Sequence, residues 1–210
     1  MHGKVEGNKS AEDPLPIVRV LYPAPHFEGK AWYCDTGAKD IKLKDYSGSY
    51  LVLFFYPMDF TFVCPTEILE FSNHYEAFKA AGCEVLGCSG DTLLVHREYT
   101  SKPRSRGGLG PIKIPLLADP THKVTKAYGA YIYKGPHAGV AYRATFIIDE
   151  NGIIRHKSIN DLPVGRNVGE IVRLVKALKH AKENNVRCPV NWKEGDKHLP
   201  VCEIKPIESS

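Results

Sequence analysis

The chain has 210 residues, 43% of them hydrophobic, 25% charged and 10% aromatic, the balance of an ordinary globular domain rather than of a disordered, collagen-like or membrane protein. No stretch approaches the roughly 18 consecutive apolar residues of a membrane helix, and the polar segment Met1 to Asp13 lacks the apolar centre of a secretory signal, so a cytoplasmic protein without membrane contact is expected. The net charge of +4 is spread along the chain, and its one basic cluster, Lys102, Arg104 and Arg106, sits in a glycine-rich stretch with no aromatic residue to stack on bases, which disfavours nucleic acid as a partner.

In chain order, Tyr50 to Tyr56 (YLVLFFY) runs without a polar break, which predicts a central strand covered on both faces and stopped by Pro57. Pro65 sits where a helix starts, and Ile68, Phe71, Tyr75 and Phe78 recur at helical steps, predicting one helix with a single buried stripe. Gly82 punctuates it. Glu84 to Ser89 reads as the next strand, so strand, helix and strand form a crossover with parallel pairing.

Asp119-Pro120 predicts the cap and first turn of a helix running to about Tyr128. Thr145 to Asp149 reads as a strand, Asn151-Gly152 as a hairpin turn, and Ile153 to His156 as the returning antiparallel strand. Asn167 with Glu170 resembles a capping box, and Val168, Ile171, Val172, Val175 and Leu178 form the apolar face of a last long helix ending near Ala181. Cys188 to Ser210, rich in proline and charge, predicts an extended arm. The organisation is therefore a flexible segment 1–14, a domain 15–181 and an arm 182–210. The class is α/β, with a central mixed sheet flanked by helices.

Six cysteines are too few for a disulfide scaffold, and in an intracellular protein thiols point to catalysis or metal. Cys64 lies between the buried strand and the first turn of a helix, in Pro57-Met58-Asp59-Phe60-Thr61-Phe62-Val63-Cys64-Pro65-Thr66-Glu67. Unpaired first-turn amides and the helix dipole favour an ionised sulfur there, and Thr61 supplies a hydroxyl donor. The other cysteines read as structural: Cys83 and Cys88 differ by five positions in a strand and so point to opposite faces, which argues against a shared ion, and Cys34 packs near Trp32 and Tyr33. Cys202 reads as a surface thiol or a spare resolving one. The nine histidines show no ligand spacing.

The pattern Pro57-x-x-x-Thr61-x-x-Cys64, within DFTFVCPTE, resembles the signature of the typical 2-Cys peroxiredoxins. The resemblance runs from about Pro23 to Asp196, through Gly107-Gly108-Leu109-Gly110, Arg143, Asp161 to Arg166, and Val186 to Trp192. It implies a thioredoxin-like fold and thiol-dependent reduction of hydrogen peroxide and organic hydroperoxides, with no metal and no cofactor. By motif position Cys64 matches the peroxidatic cysteine, with Pro57, Thr61 and Arg143 around it. Cys188 matches the resolving cysteine, which condenses with Cys64 of the partner subunit. Glu67 is placed to orient an arginine, with Arg166 as its partner by family position. A homodimer, a decameric ring of such dimers and a dithiol reductant such as thioredoxin follow from the same resemblance.

Tyr99 departs from the family pattern by standing where tryptophan is common, and Arg187 precedes Cys188. The tail also lacks the Tyr-Phe pair that covers the active-site turn in peroxide-sensitive members. A second reading is a holdase chaperone or redox relay in which peroxidase activity is secondary. A thioredoxin-type reductase is disfavoured because no C-x-x-C occurs.

Ionisation alone does not make a peroxidase. Lowering a thiol pKa by about 2.5 units from about 8.5 gains about 30-fold in thiolate near neutral pH, but forfeits about tenfold in nucleophilicity. The remaining acceleration has to come from groups that stabilise charge on the departing oxygen, for which Arg143 and Thr61 are the candidates.

Overall fold

The computed structural model describes residues 18–201. It opens with a hairpin, β1 (Glu28–Tyr33) antiparallel to β2 (Gly37–Lys42), with Cys34 in its turn. β3 (Tyr50–Phe55) is buried at every position, and Pro57 follows it out of the sheet. The expected single helix is divided at His74 into α1 (Val63–Asn73) and α2 (Tyr75–Ala80). The Glu70 carbonyl there accepts both the His74 backbone N–H, at 3.1 Å, and the ring Nδ1, at 3.0 Å, which closes the first helix. The stripe survives the break, since Ile68, Phe71 and Phe78 all enter one core cluster while Tyr75 packs at its edge.

β4 (Cys83–Ser89) pairs parallel to β3, as the crossover requires. α3 (Leu93–Ser101) and the short β5 (Leu116–Ala118) follow. α4 (Lys123–Ala127) begins later than Asp119-Pro120 suggests. Asp119 nevertheless serves its start, its carboxylate accepting the amides of Val124 and Thr125 at 3.2 and 2.7 Å.

β6 (Arg143–Ile148) and β7 (Ile154–Asn160) form the predicted hairpin, Gly152 adopting φ 78° in the turn. α5 (Val168–Glu183) starts at Asn167, whose side chain accepts the Glu170 amide at 3.0 Å. The seven strands lie in the order β2-β1-β5-β4-β3-β6-β7, parallel at the β5-β4-β3 centre and antiparallel elsewhere.

Alternation along β3 divides the core. Tyr50, Val52 and Phe54 face the cluster that holds Cys64, Ile68 and Phe71, whereas Leu51, Leu53 and Phe55 face Tyr128 and Phe146. Phe54 and Phe71 stack at 4.0 Å, a geometry worth about 0.5–1.5 kcal/mol beyond burial. Cys83 and Cys88 are buried in these opposite clusters, and Cys34 packs at the edge of the first.

After α5 the chain folds back on its own helix. β8 (Val186–Arg187) pairs with β9 (Leu199–Pro200), and between them Trp192 is buried to 2% exposure, stacked on His180 at 4.7 Å. Arg173 Nη1 donates to the Trp192 carbonyl at 2.9 Å. Up to residue 201 the arm is thus ordered by an aromatic anchor rather than extended. Cys202 lies outside the described residues.

Candidate active site

The loop leaving β3 is tied down before it reaches the helix. Tyr56 donates its hydroxyl to Asp59 Oδ1 at 2.9 Å, and Phe60 takes a left-handed φ of 55° that reverses the chain. α1 begins at Val63, so Cys64 is its second residue, fully buried in the first turn. No side chain caps this helix. Its first-turn amides therefore remain for an anion, and Pro65 adds a residue that needs no amide partner.

Arg143, first residue of β6, directs Nη1 to Cys64 Sγ at 3.4 Å and to Glu67 Oε2 at 2.7 Å. Its Nε donates to the Leu162 carbonyl at 2.7 Å, which leaves Nη2 without a partner among the described residues. One turn along α1 from the thiol, Glu67 is held by Arg166 in a fork, Nε to Oε1 and Nη2 to Oε2, both at 2.8 Å. Arg166 Nη1 reaches the carbonyls of Phe55 and Ala144, binding the site to β3 and β6. Arg143, Glu67 and Arg166 have side chains only 5%, 2% and 3% exposed. Burial alone would raise the Glu67 carboxyl, but the hydrogen bonds and charge of Arg166, with the charge of Arg143, hold it below the ordinary carboxylate range.

The sequence-expected residues Cys64, Glu67, Arg143 and Arg166 thus converge at one end of the sheet, and Pro57 is buried in the loop between β3 and α1. Thr61 is there too, but its hydroxyl donates to the Met58 carbonyl at 3.0 Å instead of to the sulfur. The short turn spends the hydroxyl proton on its own backbone and leaves the oxygen lone pairs as acceptors. Cys188 is elsewhere. It is half-buried against α5, its Sγ donating to the Ala177 carbonyl at 3.4 Å, and its thiol is pushed up by burial against the opposing charge of Arg173. Cys64 and Cys188 are both free thiols.

Sequence reasoning missed the ties behind the turn. Asp59 meets His96 of α3 at 2.8 Å, and its backbone N–H donates to Asp91 Oδ2 at 2.9 Å. The Asp59 position inside DFTFVCPTE was the only available signal, because a lone histidine carries no spacing. Tyr99 is fully buried beneath Phe60, ring to ring at 4.5 Å.

A buried thiol in a helix's first turn, with an arginine on the sulfur and this mixed sheet behind it, defines a redox-active thiol enzyme. The chain matches the AhpC/TSA family over residues 20–157 and the C-terminal domain of 1-Cys peroxiredoxin over residues 177–202. It is 50% identical to Peroxiredoxin-4 of Dictyostelium discoideum over 182 residues, 87% of this chain and 69% of that one. It is 53% identical to Peroxiredoxin-2 of Rattus norvegicus over 173 residues, 82% of this chain and 85% of that one. The solved structure of reduced 2-Cys peroxiredoxin from Plasmodium vivax superposes with a TM-score of 0.81 at 36% identity, covering 87% of this chain and 93% of that one.

The chain belongs to the peroxiredoxin family, and it is a thiol peroxidase on the thioredoxin-like fold. The chaperone reading is not favoured by these relatives. Among the described residues no helix is long and apolar enough to cross a membrane.

Proposed function

We propose that Cys64 is the peroxidatic thiol of a 2-Cys cycle completed by Cys188 of the partner subunit. The Cys64 thiolate attacks the terminal oxygen of hydrogen peroxide or an organic hydroperoxide. The S–O bond forms as the O–O bond breaks, and the departing oxygen takes a proton to leave as water or alcohol. Arg143 donates to sulfur and, through Nη2, to the oxygen on which charge grows, while Thr61 Oγ1 accepts a hydrogen bond from the peroxide O–H, whose proton passes to the departing oxygen. Pro57 walls the pocket, and Glu67 with Arg166 fixes the Arg143 guanidinium. The resulting sulfenic acid condenses with Cys188 as the S–S bond forms and the S–O bond breaks, releasing water. A dithiol reductant such as thioredoxin then returns both thiols.

The observation that carries this reading is the Arg143 guanidinium on the Cys64 sulfur, 3.4 Å away at an uncapped helix start. Residues 15–181 form the catalytic body in this scheme, 1–14 a flexible leading segment and 182–210 the resolving arm. Exchange between subunits makes the working unit a homodimer, which assembles into a decameric ring. A Plasmodium yoelii Prx1a modified at its N-terminus forms an artifactual octamer, which supports self-association in the family. A reducing compartment such as the cytoplasm suits a cycle that starts from free thiols. The test is peroxide consumption with thioredoxin, thioredoxin reductase and NADPH: wild type turns over, and Cys64→Ser does not. Retention of more than a few per cent of the rate in Cys64→Ser refutes the assignment.

A further inference from the structure

The peroxidase chemistry leaves one buried ionisable network unused. Asp59 is 4% exposed and His96 is fully buried, their side chains 2.8 Å apart. His96 Nε2 faces the Leu117 carbonyl of β5 at 3.3 Å, so that nitrogen carries a proton, and one further proton is shared between Nδ1 and the carboxylate. Tyr56 donates to the second carboxylate oxygen, and the Asp59 amide is held by Asp91, whose Oδ2 also accepts Ser89 Oγ at 2.6 Å. The polar atoms of Asp59, Asp91 and His96 lie within 4.8 Å of one another, and each of these side chains is already hydrogen-bonded inside the protein.

Asp59 therefore joins the turn to β3, to the end of β4, to α3 and to β5. The side chains next to it are more exposed, Met58, Phe60 and Phe62 at 42%, 45% and 95%, with Phe60 resting on Tyr99. Unwinding the turn would withdraw Asp59 from His96 and strand a buried imidazole and a buried phenol.

We propose that Asp59, gripped by His96, is the positioning residue that holds the Cys64 turn closed and so sets how long the sulfenic acid survives. This rests on the peroxidase cycle above. While the turn is closed, a second peroxide can add an oxygen, converting sulfenic acid and hydroperoxide to sulfinic acid and alcohol. Once the turn is open, the Cys188 thiol condenses with the sulfenic acid and water leaves. The open population is small, so loosening the clamp raises it, and with it the rate of disulfide formation, in direct proportion.

The experiment follows the sulfenic-to-disulfide step by rapid-quench mass spectrometry in wild type, Asp59→Ala, Asp59→Asn and Asp91→Ala. Asp59→Ala is expected to form disulfide about tenfold faster and to need about tenfold more peroxide for half sulfinylation. Asp59→Asn restores wild-type behaviour, because its amide accepts from Tyr56 and donates to a neutral His96. Asp91→Ala, at a half-exposed position that tolerates truncation, moves both readouts the same way by a smaller factor and carries the test if Asp59→Ala does not fold. Unchanged disulfide rates in the alanine variants overturn the proposal, as does Asp59→Asn behaving like Asp59→Ala. Hydrogen exchange of amides 59–66 in the reduced protein reads the clamp without peroxide: faster exchange in the alanine variants supports it and unchanged exchange overturns it. A wild-type Cys64 that ignores peroxide would sink the peroxidase reading separately.

Discussion

Arg166 holds Glu67 by two parallel hydrogen bonds of 2.8 Å, and its backbone amide adds a third at 2.9 Å. The same carboxylate carries Arg143, so one buried anion fixes the two cations of the site. Replacing Glu67 by Ala leaves two buried guanidinium groups uncompensated, and a loss of about 3–5 kcal/mol in unfolding free energy is expected. The pH dependence follows from the depressed carboxyl. Its stabilisation is fully present above the unfolded pKa of about 4.3 and is lost as pH falls through the lower folded value. Denaturant titrations below about pH 4.5 should therefore show a steeper acid loss in wild type than in Glu67→Gln.

Arg143→Ala keeps the helix start and the thiol but removes the donor on the sulfur. The second-order rate of Cys64 oxidation should fall by about 100-fold or more, measured by stopped flow under single turnover. Arg143→Lys restores charge without the fork, and its Nζ cannot serve sulfur, Glu67 and Leu162 together. It should recover only a small part of the rate. An unchanged rate in Arg143→Ala would remove this residue from the chemistry.

These features differ in how plainly the sequence announces them. Tyr50–Phe55 was legible because both its faces are buried and no polar residue interrupts it. The α5 start was legible because Asn167 caps it locally. The Cys64 setting was readable from a short contiguous string, and Arg143, Glu67 and Arg166 entered through family position. β5 and α4, of three and five residues, span too little chain for a period to show, while the His74 break and α3 carried local signals, the Glu70–His74 bonds and the Thr92 cap, that the periodicity did not reveal. The Asp59 to His96 contact bridges 37 residues and the arm's Trp192 anchor is set by α5, so neither leaves a local pattern.

Tyr99 gives a prediction of opposite sign to most core substitutions. Its hydroxyl is buried beside the Phe60 backbone with no hydrogen bond of proper geometry among the described residues, and burial pushes its ionisation well above the ordinary phenol value. Tyr99→Phe keeps the ring contact with Phe60 and removes the unpartnered donor. It should raise stability by about 1 kcal/mol, read as a higher denaturant midpoint at unchanged slope. A lower midpoint would show that the hydroxyl has a partner in solution.

The Cys188 thiol, raised by burial and held to the Ala177 carbonyl, is not poised to react where it lies. Disulfide formation therefore requires the arm to leave α5. Oxidised wild type should run as a linked dimer on a non-reducing gel, and Cys188→Ser should not. A monomeric oxidised protein would instead mean resolution within one chain, or through Cys202, and peptide mapping would name the pair.

In the proposed cycle, susceptibility to over-oxidation is decided by competition between a second peroxide and Cys188, and the described chain bears on both sides of it. On one side, Phe62, two residues before Cys64, is 95% exposed, and Leu199, in β9, is 54% exposed, so neither apolar side chain adds packing that resists unwinding of the first turn. That keeps unwinding cheap and favours the thiol. On the other side, Trp192 anchors the arm, and a buried tryptophan released from its stack on His180 slows the approach of Cys188. In the proposed cycle the turn opens each time, and the arm is held by a ladder of two residue pairs, the Trp192 anchor and a few hydrogen bonds and ion pairs to α5, so opening is expected to outpace the second oxidation. Comparative resistance to sulfinic acid is expected, and Trp192→Ala should increase it further by freeing the arm. Cycling the enzyme with reductant at rising peroxide, with sulfinylated Cys64 followed by mass spectrometry, checks both. Inactivation of wild type within a few turnovers at micromolar peroxide would overturn the expected resistance, and a Trp192→Ala variant more sensitive than wild type would show that the anchor guides Cys188 rather than restraining it.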